Sequence, residues 1–210
     1  MRIAVIGSGN VGGSFGRAAT NAGHEVVLTA AHAEKAQAVA AEFGARAAES
    51  NAAAVQGAQV VVLAVAGTDA ASVTAELASA LSPGAVIVDA TNPLNPTYGD
   101  LAIEGVSGAA AVQQAAAGAP VVKAFNTVFA SRYAAPTEQG APLQVLLAGD
   151  DEQAKAVVGE LAASLGFAPV NAGGLRQARA LEELAFLNIT LNATNGWAWQ
   201  SAWQLVGPTA

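Results

Sequence analysis

Cysteine is absent from the 210-residue chain, and histidine occurs only at His24 and His32. Disulfides and thiolate metal sites are thereby excluded, two imidazoles fall short of a histidine cluster, and no metal centre is expected. Charge is scarce too. Only 12% of residues are charged, and 16 acids against 9 bases leave a net charge of -7, which disfavours nucleic acid and anionic membranes as partners. Although 53% of the residues are hydrophobic, much of that is alanine, and no run approaches the roughly 18 to 20 apolar residues of a membrane span. The apolar start, Ile3-Ala4-Val5-Ile6, runs directly into a glycine turn and lacks the form of a cleavable leader. A cytoplasmic protein is the expectation.

That glycine turn, Gly7-Ser8-Gly9-Asn10-Val11-Gly12, carries the most information. A β-branched strand precedes it, an amphipathic segment from Val11 to Ala22 follows, and a second strand comes next, the context of a dinucleotide-binding loop. Gly7 permits the tight turn, Gly9 admits a pyrophosphate close to the backbone, and Gly12 lets the helix approach the strand.

Short apolar runs then alternate with helical stretches. Strands are predicted at Arg2–Ile6, Glu25–Thr29, Val60–Ala64, Ala85–Asp89, Pro120–Ala124 and Gln144–Ala148, with a short one near Phe167–Asn171. Helices are predicted near Glu34–Phe43, Asp69–Leu81 and Asp151–Leu165. The fold class is α/β, a Rossmann-type doubly wound, mainly parallel sheet over residues 1–172. Residues 173–210 form a C-terminal helical segment, read as one helix from Leu175 to about Leu205 with a Gly207-Pro208 stop, docking on the sheet domain or on a second copy. Its expected buried face carries Leu184, Leu187 and Leu191. Trp197, Trp199 and Trp203 would follow on the same helix, the last two one turn apart, serving packing, dimerisation or contact with an aromatic ligand.

The second strand ends Thr29-Ala30-Ala31-His32 without the acid that holds an NAD ribose, which favours NADP(H). Thr29, His32 and Lys35 are the candidates to meet a 2′-phosphate, against the alternative that His32 and Lys35 are simply solvated. Proton donors are few: three lysines, two tyrosines and two histidines. Lys123 lies in a strand, whose alternation leaves either face open to it, while Tyr98 and Tyr133 lack a lysine four residues on. No catalytic acid or base is assigned, and such a site suits hydride exchange, where alignment matters more than protonation. Ala66, Gly67 and Ala124 either leave room for a flat ring or allow close packing.

The glycine loop, Asp89-Ala90-Thr91-Asn92-Pro93-Leu94, Val122-Lys123-Ala124-Phe125-Asn126-Thr127, and Gly173-Gly174-Leu175 leading to Arg179-Ala180-Leu181-Glu182 together resemble the F420-dependent NADP reductase family, over essentially the whole chain. Relatives of that family include the reductase domain of the STEAP metalloreductases. The resemblance implies hydride transfer between NADP(H) and F420 or a flavin, and pairing of two copies through the C-terminal helices. By the same resemblance Ser8, Gly9, Asn10 and Val11 would bind the pyrophosphate and Lys35 the 2′-phosphate. Ala64, Val65 and Ala66 would line the adenosine ribose, and Thr91, Asn92, Pro93, Phe125 and Asn126 would border the nicotinamide and align the hydride. The family's Ser-Arg pair after the second strand is Ala30-Ala31 here. Two other readings stay open: a non-catalytic NADP(H) sensor, and a small imine or β-hydroxyacid reductase using Lys123 or a tyrosine.

Overall fold

The computed structural model describes residues 1–103 and 105–207. The elements run β1 (Arg2–Ile6), α1 (Asn10–Asn21), β2 (Glu25–Thr29), α2 (Ala33–Ala41), β3 (Arg46–Ala47), α3 (Asn51–Val55), β4 (Val60–Leu63), α4 (Ala70–Leu77), β5 (Val86–Asp89), α5 (Gly108–Ala115) and β6 (Val121–Lys123). A 3-10 turn (Ala130–Ala134) and a small hairpin of β7 (Thr137–Glu138) and β8 (Ala141–Pro142) follow. The chain continues through β9 (Gln144–Ala148), α6 (Glu152–Ser164) and β10 (Ala168–Gly173) to a second 3-10 turn (Leu175–Gln177) and α7 (Ala178–Asn195).

Eight strands form one sheet in the order β10-β9-β6-β5-β4-β1-β2-β3. The pairs from β3 across to β6 are parallel, and the antiparallel join of β6 to β9 makes the sheet mixed at that edge. The central strands are apolar on both faces because both are covered. Ile3 and Val5 enter a core with Phe15 of α1, Ala40 of α2 and Val158 of α6, whereas Ala4 and Ile6 enter a second core with Val55 of α3, Leu77 of α4 and Val112 of α5. The strand order reverses between β1 and β4. Ligands of such sheets bind at the carboxyl ends of the strands beside this reversal.

Several expectations change. Helix α5 and the short elements β3 and α3 lie where the alanine-rich composition offered little periodic contrast. The long C-terminal helix stops at Asn195, capped by Gly196 at φ 63, ψ 32 in the left-handed region. Residues 197 to 206 run back as an irregular tail, so the tryptophans share no helical face. Asn192 Nδ2 donates to Ser201 Oγ at 2.6 Å and Trp203 Nε1 to the Leu184 carbonyl at 3.0 Å, which ties that tail to α7. The buried face of α7 also differs from the expected leucine stripe. It carries Ala178, Leu181, Glu182, Ala185, Asn188 and Asn192, while Leu187 is 48% exposed. Of the expected terminal stop, Pro208 lies outside the described residues.

Candidate functional site

Gly7, at φ 109, makes the turn out of β1, and a Cβ there would collide with the Ala64 carbonyl at the end of β4. A Cβ on Gly12 would strike the Gly7 carbonyl oxygen. Both glycines are thus required by backbone packing. Gly9 is different: nothing stands within 4 Å of where its Cβ would be. It precedes α1 without a side-chain cap. The Gly13 N–H donates to the Gly9 carbonyl at 2.8 Å, so the N–H groups of Asn10, Val11 and Gly12 come before the helical ladder. Ser8 Oγ is buried without a protein partner. Free donors, an orphaned hydroxyl and the positive end of α1 lie together at one turn, an arrangement suited to an anion.

Three further loops stand at the same edge. Ala64, Val65 and Ala66 follow β4, and the backbone there is pressed against its neighbour, since a Cβ on Gly67 would overlap the Asn92 carbonyl. Thr91, Asn92 and Pro93 follow β5, and Asn126 follows β6. Asn92 Nδ2 donates to the Asn126 carbonyl at 2.9 Å, and Asn126 Nδ2 returns a bond to Asn92 Oδ1 at 3.0 Å and reaches the Leu181 carbonyl of α7 at 2.9 Å. Asn126 Oδ1 is left buried and unpartnered. Asn92, Asn126, Val11, Asn188 and Ile189 line a cavity of about 140 Å³. Beside it opens a groove of about 1780 Å³ between α1 and α7, bordered by Tyr98, Phe129, Phe186, Ile189 and Trp199.

Other candidate residues fall elsewhere. The Thr29 hydroxyl donates to Asn51 Oδ1 at 2.7 Å and is 1% exposed, so its proton is not available to a phosphate. Asn51 was not foreseen, since no local pattern marks a residue that acts only by meeting a strand end from another helix. His32 and Lys35 are exposed around the start of α2, with Glu34 between them. Ala124 is fully buried in the core, and the space beside Gly67 is filled by backbone; neither leaves room for a ring. Phe125 sits at φ 65, unusual for a bulky residue, and its ring packs edge-on against Phe15 at 5.3 Å and Phe167 at 6.4 Å. Its ring is committed to the core and does not stack on a second ligand. What Phe125 contributes is the loop conformation that delivers Asn126.

Lys123 is the largest departure from a reductase that would protonate its substrate. Its side chain is fully buried, with Nζ 2.9 Å from Asp89 Oδ2, 3.0 Å from Glu182 Oε1 and 2.6 Å from the Thr91 carbonyl. The ammonium donates to Asp89 and to the Thr91 carbonyl and is paired with the Glu182 carboxylate. Lys123 is no proton donor to a ligand. Tyr133 borders the groove, but burial pushes its hydroxyl far above the ordinary tyrosine range. Tyr98 is 70% exposed at the outer rim of the same groove.

The family model described as NADP oxidoreductase coenzyme F420-dependent matches residues 2–93, which span the glycine loop and the Asn92-Pro93 turn. The F420-dependent NADP reductase of Methanothermobacter marburgensis is 31% identical over 212 residues, covering 93% of this chain and 94% of that protein. The chain belongs to the F420-dependent NADP reductase family. Rat metalloreductase STEAP3 shares 35% identity over 101 residues, 48% of this chain and 20% of that protein. A crystal structure from Arthrobacter sp. FB24, described as a candidate F420-dependent NADP-reductase, superposes with a TM-score of 0.84 at 31% identity, covering 98% of this chain and 100% of that one. Ser8 Oγ at the glycine loop and Asn126 Oδ1 at the paired asparagines are both buried polar atoms without a protein partner, so each has hydrogen-bonding capacity to spare at this edge of the sheet. Ala30 and Ala31, just past the end of β2, carry only methyl groups.

Proposed function

We propose that this chain transfers a hydride between NADP(H) and a deazaflavin of the F420 type, with flavins as weaker acceptors. In this reading residues 1–172 bind the dinucleotide and the segment from residue 173 onward walls the reacting end. When bound, NADPH supplies the hydride. The N–H groups of Asn10, Val11 and Gly12 and the Ser8 hydroxyl hold the pyrophosphate, Ala64, Val65 and Ala66 flank the adenosine ribose, and Lys35 with His32 meets the 2′-phosphate. Thr91, Asn92, Pro93 and Asn126 orient the nicotinamide, with Asn126 Oδ1 as the acceptor for its carboxamide.

The observation that carries the proposal is the full burial of Lys123 among Asp89, the Thr91 carbonyl and Glu182 beside an enclosed asparagine pair. A carbonyl or imine reductase needs a proton donor at the reacting atom, whereas exchange between two ring cofactors needs alignment. Stopped-flow mixing of NADPH-loaded protein with F420, FMN and FAD tests it. Oxidation fastest with F420 is expected, and tight NADPH binding without oxidation by any of the three would sink it in favour of a sensing role.

Two further parts belong to this proposal. Half-exposed Phe186 and Ile189 and exposed Leu187 on α7 border or adjoin the wide groove and supply an apolar face for a second copy of the chain, giving a homodimer through the C-terminal helix. Light scattering should give the mass of a dimer for the native chain and of a monomer for Leu187→Glu; a monomeric native chain would refute the pairing. The protein is placed in the cytoplasm, where the NADPH such a reductase consumes is held. No helix among the described residues is long and apolar enough to cross a membrane.

A further inference from the structure

Adjacent residues of α7 hold the two loops of the reacting end separately. The Leu181 carbonyl accepts from Asn126 Nδ2 at 2.9 Å, and the Glu182 carboxylate lies 3.0 Å from Lys123 Nζ. Lys123 in turn grips the loop before Asn92 through the Thr91 carbonyl, while Asp89 Oδ1 accepts from the Thr91 N–H at 2.9 Å and its hydroxyl at 2.7 Å. Both polar groups of the Thr91 backbone and its side chain are therefore fixed by one buried cluster. The cluster has two carboxylates to one ammonium. Glu182 also accepts from the Gly108 and Ala109 N–H groups at the start of α5, at 3.1 and 3.3 Å.

Such an arrangement is a costly way to hold a fold together, because a buried ion pair seldom stabilises more than apolar packing of equal volume. Its distinguishing property is direction: charged hydrogen bonds fix the angles of the groups they join, which apolar contacts do not. We propose that Asp89, Lys123 and Glu182 form a positioning cluster through which the C-terminal helix sets the nicotinamide-facing loop, Glu182 acting at second hand through Lys123 and Thr91 on Asn92. None of the three touches the ligand. The inference rests on the dinucleotide half of the proposed function and is independent of which acceptor takes the hydride.

The test compares NADPH with 2′-phospho-ADP-ribose, which has both phosphate ends and no nicotinamide. In the native full-length protein NADPH should bind the tighter of the two, and the ratio of the dissociation constants measures how firmly the nicotinamide is held. Glu182→Gln keeps the volume but sets an amide N–H against either the Lys123 ammonium or the α5 N–H groups. It should shrink that ratio by about fivefold or more while the analogue's affinity stays within about twofold of native. The nicotinamide fluorescence lifetime of bound NADPH should shorten in parallel. An unchanged ratio in the folded variant, equal weakening of both ligands, or a native ratio near one would each overturn the proposal. Should Glu182→Gln not fold, the volume-matched Lys123→Met, Glu182→Met double variant is read by the same ratio. Absence of hydride transfer with the ratio behaving as expected would refute the F420 reading and leave the positioning role standing.

Discussion

Replacing Gly9 by alanine separates ligand binding from folding, because the three loop glycines are held to glycine for different reasons. At Gly7 and Gly12 an added Cβ meets backbone well inside 3.0 Å, so the fold itself objects. At Gly9 the Cβ finds open space, and φ -73 with ψ -167 suits any residue. The cost of Gly9→Ala to the free protein is then confined to the N-cap preference, about 0.5–1 kcal/mol, or a fall in Tm of about 1–4 °C for a chain of this size. The open space is where a pyrophosphate would lie against the N–H groups of Asn10 and Val11. Loss of one charge-assisted hydrogen bond costs about 1.5–3 kcal/mol, which corresponds to a rise of about 10- to 150-fold in the NADPH dissociation constant. Titration followed by nicotinamide fluorescence, together with thermal unfolding, measures both quantities on one sample. Gly12→Ala should lower the melting temperature by more, since overpacking against backbone costs about 1–3 kcal/mol. The reasoning fails if Gly9→Ala binds NADPH within about threefold of native, or if it unfolds as readily as Gly12→Ala.

Three other perturbations have expected outcomes. Lys35→Ala should weaken NADPH by about tenfold and leave NADH within about twofold, as loss of a single exposed phosphate contact would; equal effects on both nucleotides would remove Lys35 from the 2′-phosphate site. Tyr133→Phe removes a buried hydroxyl without a partner; such an orphan costs about 1–3 kcal/mol, so the variant should melt no lower than native, and a clear drop would reveal a missed hydrogen bond. His24 lies 3.1 Å from the Met1 amine and 2.8 Å from Ser164 Oγ, and burial, then the N-terminal charge, lowers its pKa below 6.5. The unfolded chain therefore takes up the proton first, so the His24 contribution to stability is present above pH 6.5 and is lost as pH falls through the depressed folded value. Melting temperature against pH should show that decline in native protein and not in His24→Asn; identical profiles would rule it out.

Much of the frame is legible along the chain because a central strand buried on both faces needs an unbroken apolar run. Arg2–Ile6, Glu25–Thr29 and Gln144–Ala148 coincide residue for residue with observed strands, and the others differ by a residue or two at their ends. The alanine-rich helices are less legible. Helix α5 has too little contrast between its faces to be distinguished from a loop. In α7 the leucines at 184, 187 and 191 flank rather than form the buried face, with Leu187 exposed and the other two half-buried, since that face carries Glu182, Asn188 and Asn192 in hydrogen-bonded contacts. The stop at Gly196 was equally hidden: a single glycine ends a helix only when the following chain has something to fold against, here Asn188, Asn192 and Leu184.

The amino-acid order by itself determines the strand, the glycine turn and the helix that follows, because these depend on neighbours a few residues apart and on the conformational freedom of Gly7. It also determines that β2 ends without an acid. The tertiary structure decides what the reacting end is made of. Asp89 and Lys123 face each other because β5 and β6 are adjacent with those two residues in register, and Asn92 meets Asn126 across the same pair of strand ends. Glu182 joins them from α7, 74 residues from the Gly108 N–H it also accepts. A lysine in a short strand reads as a group free to face either way; strand order and the docking of α7 surround it with three acceptors and make it part of the frame.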